Sequence, residues 1–223
     1  MKIDAIAFDL DGTLIETNEA WHNGLNLTLK QYGKHEGVTK KFFYENHVGV
    51  EQKKVLSYHL NLSEQELERA VKTFNQIFLS SIDYVKLNDN VIEVLNYVSQ
   101  RIEARAIITN AYQKVAYEIL NNLKTRNLDI KEYFHTIVTR DSVKEGKPNP
   151  EMIYYACENL GVKPENMIFV EDSTSGVKAG KNAGCYVIAI TTTTSIEKLR
   201  SAGADKIITN LIELRELVTE LSD

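Results

Sequence analysis

Short apolar runs alternate with longer helical patterns along most of the chain. The runs that predict strands are residues 3–8, 104–108, 136–139, 167–170, 186–190 and 206–208. Continuous apolar strands separated by helices indicate a parallel sheet that is covered on both faces. The pattern therefore predicts an α/β fold, and the ligands of such sheets bind beyond the carboxyl ends of the strands.

Residues 16–85 follow a different pattern, without a convincing strand. Their apolar positions recur every three or four residues, which is typical of amphipathic helices. Ser63, followed three positions later by Glu66, has the spacing of a capping box that opens the last of these helices. We therefore predict a helical domain of residues 16–85, inserted into a core domain of residues 1–15 and 86–223.

Composition and charge narrow the class of partner. The 223 residues are 43% apolar, which suits a core that needs no disulfides, and the net charge of −5 offers no basic face for nucleic acid. Cys157 and Cys185 lie outside any redox or zinc spacing, as expected for reduced thiols. Acidic residues interrupt the first apolar run, so it predicts a strand and not a signal peptide or a membrane span. We expect a cytoplasmic monomer or homodimer without a membrane partner.

The first motif, Asp9-Leu10-Asp11-Gly12-Thr13, directly follows the first predicted strand. If the strand continued in regular pleat, both carboxylates would lie on one face and point at one site. Gly12 would let the chain turn sharply and bring backbone close to a ligand. A calcium loop does not fit, because it needs glycine at its sixth position and a helix on each side. A solvated turn stays open as the alternative.

The second motif, Thr109-Asn110, ends the apolar run that finishes at Ile108. A hydroxyl and backbone N–H groups ahead of a helix can bind phosphate oxygens. The commoner role of a threonine here is to cap the helix. This motif is therefore weak by itself.

The third motif places a lysine on a stiff mount, in Gly146-Lys147-Pro148-Asn149-Pro150. Pro148 favours an extended backbone at Lys147. Asn149 can cap the next helix, and Pro150 fits its first turn. This framing favours a functional cation over an ordinary surface charge.

The fourth motif, Glu171-Asp172-Ser173, follows another predicted strand. Two acids at a strand end supply hard oxygen ligands, which suit Mg²⁺. Helix capping by Asp172 or Ser173 is the alternative, and it explains one acid but not both.

In this order, and each at the end of a strand, the four motifs resemble the signatures of the haloacid dehalogenase superfamily. The matching positions are Asp9 to Thr13, Thr109, Lys147, and Glu171 with Asp172. The resemblance runs over nearly the whole chain. It implies a Rossmann-like parallel core with the first strand in the middle, and it makes the helical insert similar to a C1-type cap domain.

A phosphate dianion would meet Asp9, Glu171 and Asp172 in one pocket. At about 4 Å and an effective dielectric constant of about 20, each like-charge pair costs about 4 kcal/mol. Binding therefore requires cations, and Lys147 and Mg²⁺ are the predicted ones. The resemblance implies that Asp9, Asp172 and the backbone carbonyl of Asp11 hold the metal. It places Glu171 either among these ligands or directly behind them.

The resemblance also implies the roles of the catalytic residues. Asp9 attacks phosphorus and forms an aspartyl phosphate. Asp11 protonates the leaving oxygen and then deprotonates the attacking water, which requires a raised pKa. The residues expected to bind the phosphoryl group are Gly12, Thr13, Thr109, Asn110 and Lys147.

Several departures from related enzymes narrow the activity. Asp11 argues against dehalogenases and phosphonatases, which lack this acid. The β-phosphoglucomutases typically have valine at the position of Thr13 and a cap histidine twelve residues after the nucleophile. That place holds Trp21 here, with His22 adjacent, and both are candidate substrate contacts. The mutases also carry arginine three residues after a cap glycine, whereas Gln52 follows Gly49.

We therefore predict a phosphatase for a small phosphorylated metabolite, of the sugar phosphate or phosphoglycolate type. A β-phosphoglucomutase-like phosphoryl transfer is the enzymatic alternative. A non-catalytic relative that binds a phospho-ligand is the alternative from another class. Such proteins usually lose the nucleophile or the metal-binding acid, and this chain keeps both Asp9 and Asp172.

Overall fold

The computed structural model describes residues 2–47, 50, 52–125 and 129–222. The chain forms two units: Met1–Glu16 with Leu87–Asp223, called the core unit below, and Thr17–Lys86, called the helical unit. Each junction lies one residue beyond the limits predicted from the sequence. Among the described residues, no helix is both long and apolar enough to cross a membrane.

The described strands are β1 (Ala5–Phe8), β2 (Ile15–Glu16), β3 (Lys86–Leu87), β4 (Ala104–Ile108), β5 (Thr136–Val138), β6 (Met167–Glu171), β7 (Tyr186–Ile190) and β8 (Lys206–Ile208). In the part of the chain that the structure describes, six of them form a parallel sheet in the order β5-β4-β1-β6-β7-β8. The predicted parallel α/β core is confirmed, with β1 in the middle. The short strands β2 and β3, which the pattern did not predict, form a separate sheet.

The register of the central strands determines which residues share an edge. Phe8, the last residue of β1, pairs with Ile107 of β4 and Val170 of β6. All residues of β1 and β6 are buried, which explains why both strands are apolar almost throughout. One step further along, Asp9 therefore lies level with Ile108 and Glu171. The carboxyl ends of the three central strands thus meet at one edge of the sheet.

The described helices are α1 (Asn18–Gln31), α2 (Lys40–Asn46), α3 (Gln52–His59), α4 (Glu64–Ser80), α5 (Val91–Ser99), α6 (Gln113–Thr125), α7 (Glu151–Leu160), α8 (Thr174–Ala183), α9 (Ile196–Ala202) and α10 (Leu214–Ser222). The first four belong to the helical unit and the others to the core unit. Helices therefore follow each of the main sheet strands, as a parallel sheet requires.

Within the helical unit, α4 shows how the pattern produces the fold. The Glu66 carboxylate accepts hydrogen bonds from the backbone N–H of Ser63 at 2.9 Å and from its hydroxyl at 2.6 Å, so the predicted capping box is confirmed. The apolar face of α4 packs against α1, where the ring of Phe74 lies 4.7 Å from that of Trp21. Burial of this face stabilises a helix that is polar on its other side.

Candidate active site

Asp9 lies immediately beyond β1, where its N–H donates to the carbonyl of Val170 at 2.9 Å. Asp9 is only 5% exposed, whereas Asp11 is exposed. The premise that pleat alternation aligns the two acids was wrong, because β1 ends at Phe8, before both of them. The charges still interact, since Asp11 contributes to raising the pKa of Asp9, after burial and Glu171.

Gly12 forms the turn of the first motif with a φ of +84°, a conformation that side chains disfavour. A Cβ atom at this position would lie 2.1 Å from Oδ2 of Asp172. Glycine is therefore needed both for the turn and for the close approach of the Asp172 carboxylate. The sequence predicted that backbone at Gly12 would lie close to a ligand. In the structure it lies close to the Asp172 side chain.

The Lys147 side chain is buried and points into the site. Its ammonium group donates to Oδ1 of Asp9 at 2.5 Å and to Oε2 of Glu171 at 2.7 Å. It also donates to the carbonyl of Ile108 at 3.2 Å. These three acceptors match the three protons of an ammonium group. The alternative of an ordinary surface charge is therefore excluded.

Asn110 holds the backbone of Lys147 from both sides. Its Oδ1 accepts from the N–H of Lys147 at 2.9 Å, and its Nδ2 donates to the carbonyl of Lys147 at 3.2 Å. The sequence suggested a phosphate-binding role for the backbone around Asn110, and it gave no signal for this side-chain clamp. These two hydrogen bonds hold the backbone of Lys147 in place, although Asn110 lies 37 positions earlier in the sequence.

The helix after Lys147 begins slightly later than predicted. Pro150 is the N-terminal boundary residue of α7, which starts at Glu151, so Pro150 does not occupy its first turn. Asn149 still takes part, because its Oδ1 accepts from the N–H of Glu151 at 2.9 Å. The peptide bond between Lys147 and Pro148 is cis.

Glu171 is held by the residues that follow it. Its Oε1 accepts from the N–H of Asp172 at 3.1 Å, from the N–H of Ser173 at 2.9 Å and from the Ser173 hydroxyl at 2.8 Å. Ser173 also caps α8 by accepting from the N–H of Gly176 at 3.1 Å. Because Ser173 caps the helix, capping explains neither Glu171 nor Asp172.

Two threonine hydroxyls contact the carboxylate of Asp172. Thr193 donates to Oδ2, and Thr13 donates to Oδ1 at 3.4 Å. Thr193 lies outside the four sequence motifs. The available signal was its position shortly after β7, the strand that pairs with β6.

Other polar groups hold the loop of the first motif. The Nδ2 of Asn88 donates to the carbonyls of Gly12 at 3.1 Å and Thr13 at 3.0 Å. The hydroxyl of Thr192 donates to the carbonyl of Gly12. No local pattern marked Asn88 or Thr192, since both act on a segment that is distant in sequence.

Thr109 is buried at the end of β4, where its N–H donates to the carbonyl of Val138 at 2.9 Å. Its hydroxyl accepts from the N–H of Ala111 at 3.1 Å. The helix α6 starts only at Gln113, so Thr109 is not its N-cap. Capping of this helix, the commoner role of a threonine in such a position, is therefore excluded for Thr109.

Three buried carboxylates lie close together in the site. Asp9, Glu171 and Asp172 each offer an oxygen within 4.8 Å of the others, and all three are buried. Such hard oxygen donors suit a divalent cation. Asp11 was predicted as a ligand only through its backbone carbonyl, and in the described residues its carboxylate is not part of this cluster.

The pKa values reflect this crowding of negative charge. Burial and the charge of Glu171 raise the pKa of Asp9 to about 8, against the opposing effect of Lys147. Burial, Glu171 and Asp9 also raise the pKa of Asp172 well above its usual range. Burial lowers the pKa of Lys147, but Asp9 and Glu171 outweigh it and the net shift is upward. The site is therefore short of positive charge.

The two candidate substrate contacts of the helical unit are engaged within that unit. The Trp21 ring lies 4.7 Å from Phe74 and 5.6 Å from Phe43. Nε2 of His22 lies 2.6 Å from the carbonyl of Val38 and so donates to it. These contacts give both side chains a packing role inside the helical unit.

Gly49 and Gln52 occupy the positions of the cap glycine and the arginine of the mutase pattern. Gly49 lies outside the described residues. The amide of Gln52 donates to Oδ1 of Asn75 at 3.2 Å, so Gln52 links α3 to α4. It is therefore a structural contact of the helical unit.

Comparisons with known proteins agree with this geometry. The family of haloacid dehalogenase-like hydrolases matches residues 6–190. A phosphorylated carbohydrates phosphatase from Thermotoga maritima is 30% identical over 187 residues, which cover 82% of each chain. Pyrophosphatase PpaX from Bacillus cereus is 30% identical over 194 residues, or 86% of this chain and 85% of the relative. The crystal structure of a candidate β-phosphoglucomutase from Thermotoga maritima has a TM-score of 0.76 and 30% identity, covering 99% of this chain and 100% of the other.

Proposed function

This chain belongs to the haloacid dehalogenase-like hydrolases and is a phosphatase, and we propose that it acts with Mg²⁺ through a phosphorylated Asp9. One observation carries the proposal. Asp9 is a buried carboxylate at the end of the central strand, in contact with Lys147 and within 4.8 Å of two further acids. A buried nucleophile beside a fixed cation is the arrangement that phosphoryl transfer to a side chain needs.

The two aspartates of the first motif divide the chemistry. An Asp9 oxygen forms a bond to phosphorus while the bond from phosphorus to the leaving oxygen breaks. Asp11 gives its proton to that leaving oxygen. Asp11 then takes a proton from the water that attacks the aspartyl phosphate, which releases inorganic phosphate and restores Asp9. The exposure of Asp11 supports this role, because its partners enter from solvent.

The carboxylate cluster fits a divalent metal ion. Asp9 and Asp172 would hold it together with the backbone carbonyl of Asp11, and Glu171 lies directly beside them. When bound, Mg²⁺ offsets the negative charge of the carboxylates and polarises the phosphoryl oxygens. Lys147 alone leaves this cluster negative, and at about 4 Å each uncompensated like-charge pair costs about 4 kcal/mol.

The phosphoryl group itself is bound by residues around these acids. Lys147 supplies a fixed positive charge, and Thr109 supplies a buried hydroxyl at the end of β4. The backbone of Gly12 and Asn110 and the hydroxyl of Thr13 complete the proposed set. Charged and polar donors that are already in place stabilise the charge that develops during transfer.

The proposed substrates are small phosphorylated metabolites, of the sugar phosphate or phosphoglycolate type. The phosphorylated carbohydrates phosphatase supports the first of these, and PpaX adds pyrophosphate as a compound to test. The test is phosphate release from a panel of such compounds with Mg²⁺, and again after EDTA and metal restoration. We expect hydrolysis that EDTA abolishes, that Mg²⁺ restores and that Ca²⁺ restores poorly. Full activity in metal-free buffer would refute the metal requirement.

Phosphoryl transfer within a sugar phosphate is the second candidate, and the 30% identity with the candidate β-phosphoglucomutase favours it. Two observations oppose the mutase activity. Trp21 occupies the position where the mutases have histidine, and the His22 side chain donates a hydrogen bond to the carbonyl of Val38. The assay supplies β-glucose 1-phosphate, Mg²⁺ and a trace of the bisphosphate. We expect more inorganic phosphate than glucose 6-phosphate. Faster formation of glucose 6-phosphate would favour the mutase.

A further inference from the structure

The loop that follows β7 reaches back to the acidic cluster. The hydroxyl of Thr193 donates to Oδ2 of Asp172 and also lies 3.3 Å from the carbonyl of Asp172. The adjacent Thr192 donates to the carbonyl of Gly12. Neither threonine belongs to the four sequence motifs. A fifth strand end therefore contributes polar groups to the site.

The packing around Asp172 is tight on the side of this loop. A Cβ atom on Gly12 would lie 2.1 Å from Oδ2 of Asp172 and 2.9 Å from Cγ2 of Thr193. The carboxylate is therefore enclosed between the backbone of Gly12 and the side chain of Thr193. Its position depends on the residues that touch it there.

The ammonium group of Lys147 donates its hydrogen bonds to acceptors other than Asp172. The ammonium group of Lys147 contacts Asp9, Glu171 and the carbonyl of Ile108. The Asp172 side chain accepts hydrogen bonds from the hydroxyls of Thr193 and Thr13, and the one from Thr13 is long, at 3.4 Å. Thr193 is the closer of these two donors.

From this geometry we propose that Thr193 is a positioning residue for the metal site. Its hydroxyl holds the Asp172 carboxylate in the orientation that brings an oxygen within 4.8 Å of those of Asp9 and Glu171. The inference rests on the proposed function in one respect, namely that Asp172 binds a divalent cation. Groups that orient a metal-binding side chain typically change metal affinity by about 10- to 100-fold when they are removed.

Metal binding without substrate gives the most direct test. Mn²⁺ prefers the same oxygen ligands as Mg²⁺, and the EPR signal of the free ion reports how much is unbound. We would titrate the wild-type chain, Thr193→Val, Thr193→Ser and Thr193→Ala with Mn²⁺, and repeat each titration in competition with Mg²⁺. Thr193→Val keeps the shape and removes the hydroxyl, so affinity should fall by about 10-fold or more.

The Ser and Ala variants form a matched pair that differs only in the hydroxyl. Thr193→Ser should bind Mn²⁺ nearly as the wild type does, and Thr193→Ala should bind as weakly as Thr193→Val. This pair decides the question even if Thr193→Val folds poorly, which thermal unfolding of the metal-free protein would reveal. Thr191→Val is the control for a general disturbance of the loop. It removes a hydroxyl from the same loop and keeps the hydrogen bond from the Thr191 backbone N–H to the carbonyl of Ile208.

Two results would overturn the role of Thr193 while leaving the proposed metal site intact. Equal affinity in the Ser and Ala variants would show that the hydroxyl does not position Asp172. A loss of affinity in Thr191→Val as large as in Thr193→Val would assign the effect to the loop as a whole. Failure of the wild type to bind Mn²⁺ would instead refute the proposed metal site, and the role of Thr193 with it.

Discussion

At the scale of single residues, the site contains three buried carboxylates and one buried ammonium group. Lys147 pairs with Asp9 and Glu171, while hydroxyls hold Asp172. Burial and mutual repulsion raise the pKa of both Asp9 and Asp172. A metal ion must therefore compete with protons for the same oxygens. Metal binding and proton release should be linked in this protein.

That linkage predicts how metal affinity depends on pH. Burial and the charge of Glu171 raise the pKa of Asp9 to about 8, so the metal-free site holds a proton below that value. Mg²⁺ affinity should rise from about pH 6 to about pH 8, with protons released on binding. Calorimetry in two buffers of different ionisation enthalpy measures both quantities. Affinity that does not change across this range would contradict the assigned protonation of Asp9.

A second prediction concerns the charge of Lys147. Lys147→Met removes the charge and keeps most of the length of the side chain, whereas Lys144→Met removes an exposed charge nearby. A fixed cation aimed at developing charge contributes about 3 kcal/mol, so kcat/KM should fall about 100-fold or more in the first variant. Circular dichroism checks that both variants are folded. Small and equal effects would make Lys147 a structural charge.

At the scale of elements, the strands could be predicted because buried parallel strands are continuously apolar. The four motifs could be placed at one edge, since the carboxyl ends of such strands meet there. The exposure of Asp11 and the contact made by Thr193 could not be predicted in this way. Asp11 lies in a turn whose exposure depends on where β1 ends, and Thr193 contacts Asp172 across 21 positions of sequence. Contacts between loops leave no periodic signal in a sequence.

The start of α8 provides a prediction at this scale. A Cβ atom on Gly176 would lie 1.8 Å from Oε2 of Glu171, an atom that Lys147 holds in place. Gly176→Ala should therefore lower the free energy of unfolding by about 1–3 kcal/mol and impair phosphate release. Urea unfolding and activity assays measure the two effects.

Gly24→Ala is the matched control in another helix. A Cβ atom there would lie 3.5 Å from Phe74, which is ordinary contact, and alanine in a helix is favoured over glycine by about 0.5–1 kcal/mol. Stability should be unchanged or slightly raised. If both variants had the same stability and activity as the wild type, Gly176 would not be required for the geometry of Glu171.

At the scale of the whole molecule, the residues of all four motifs belong to the core unit. The helical unit supplied the two candidates for substrate recognition, and both rings pack inside that unit. The sequence could not separate packing from recognition, because a tryptophan or histidine on an amphipathic helix serves either role. The core unit therefore supports the reaction type, and the metabolite panel tests the choice of substrate.

The central claim is that phosphate passes through Asp9, and trapping the phosphorylated protein tests it most directly. Acetyl phosphate with a radiolabelled phosphoryl group is a suitable donor. Its leaving group is acetate, which needs no proton, so formation of the phosphorylated protein does not depend on Asp11. In Asp11→Asn the acyl phosphate should still form but lose its general base for hydrolysis. The measurement is protein-bound label after acid quench with Mg²⁺ present, together with peptide mapping.

We predict that label accumulates on Asp11→Asn, maps to Asp9 and is released by hydroxylamine, as expected for an acyl phosphate. The label should be absent from Asp9→Asn, which should be folded and inactive because an amide cannot act as the nucleophile. An unlabelled Asp11→Asn, together with wild-type turnover in a folded Asp9→Asn, would contradict the covalent mechanism.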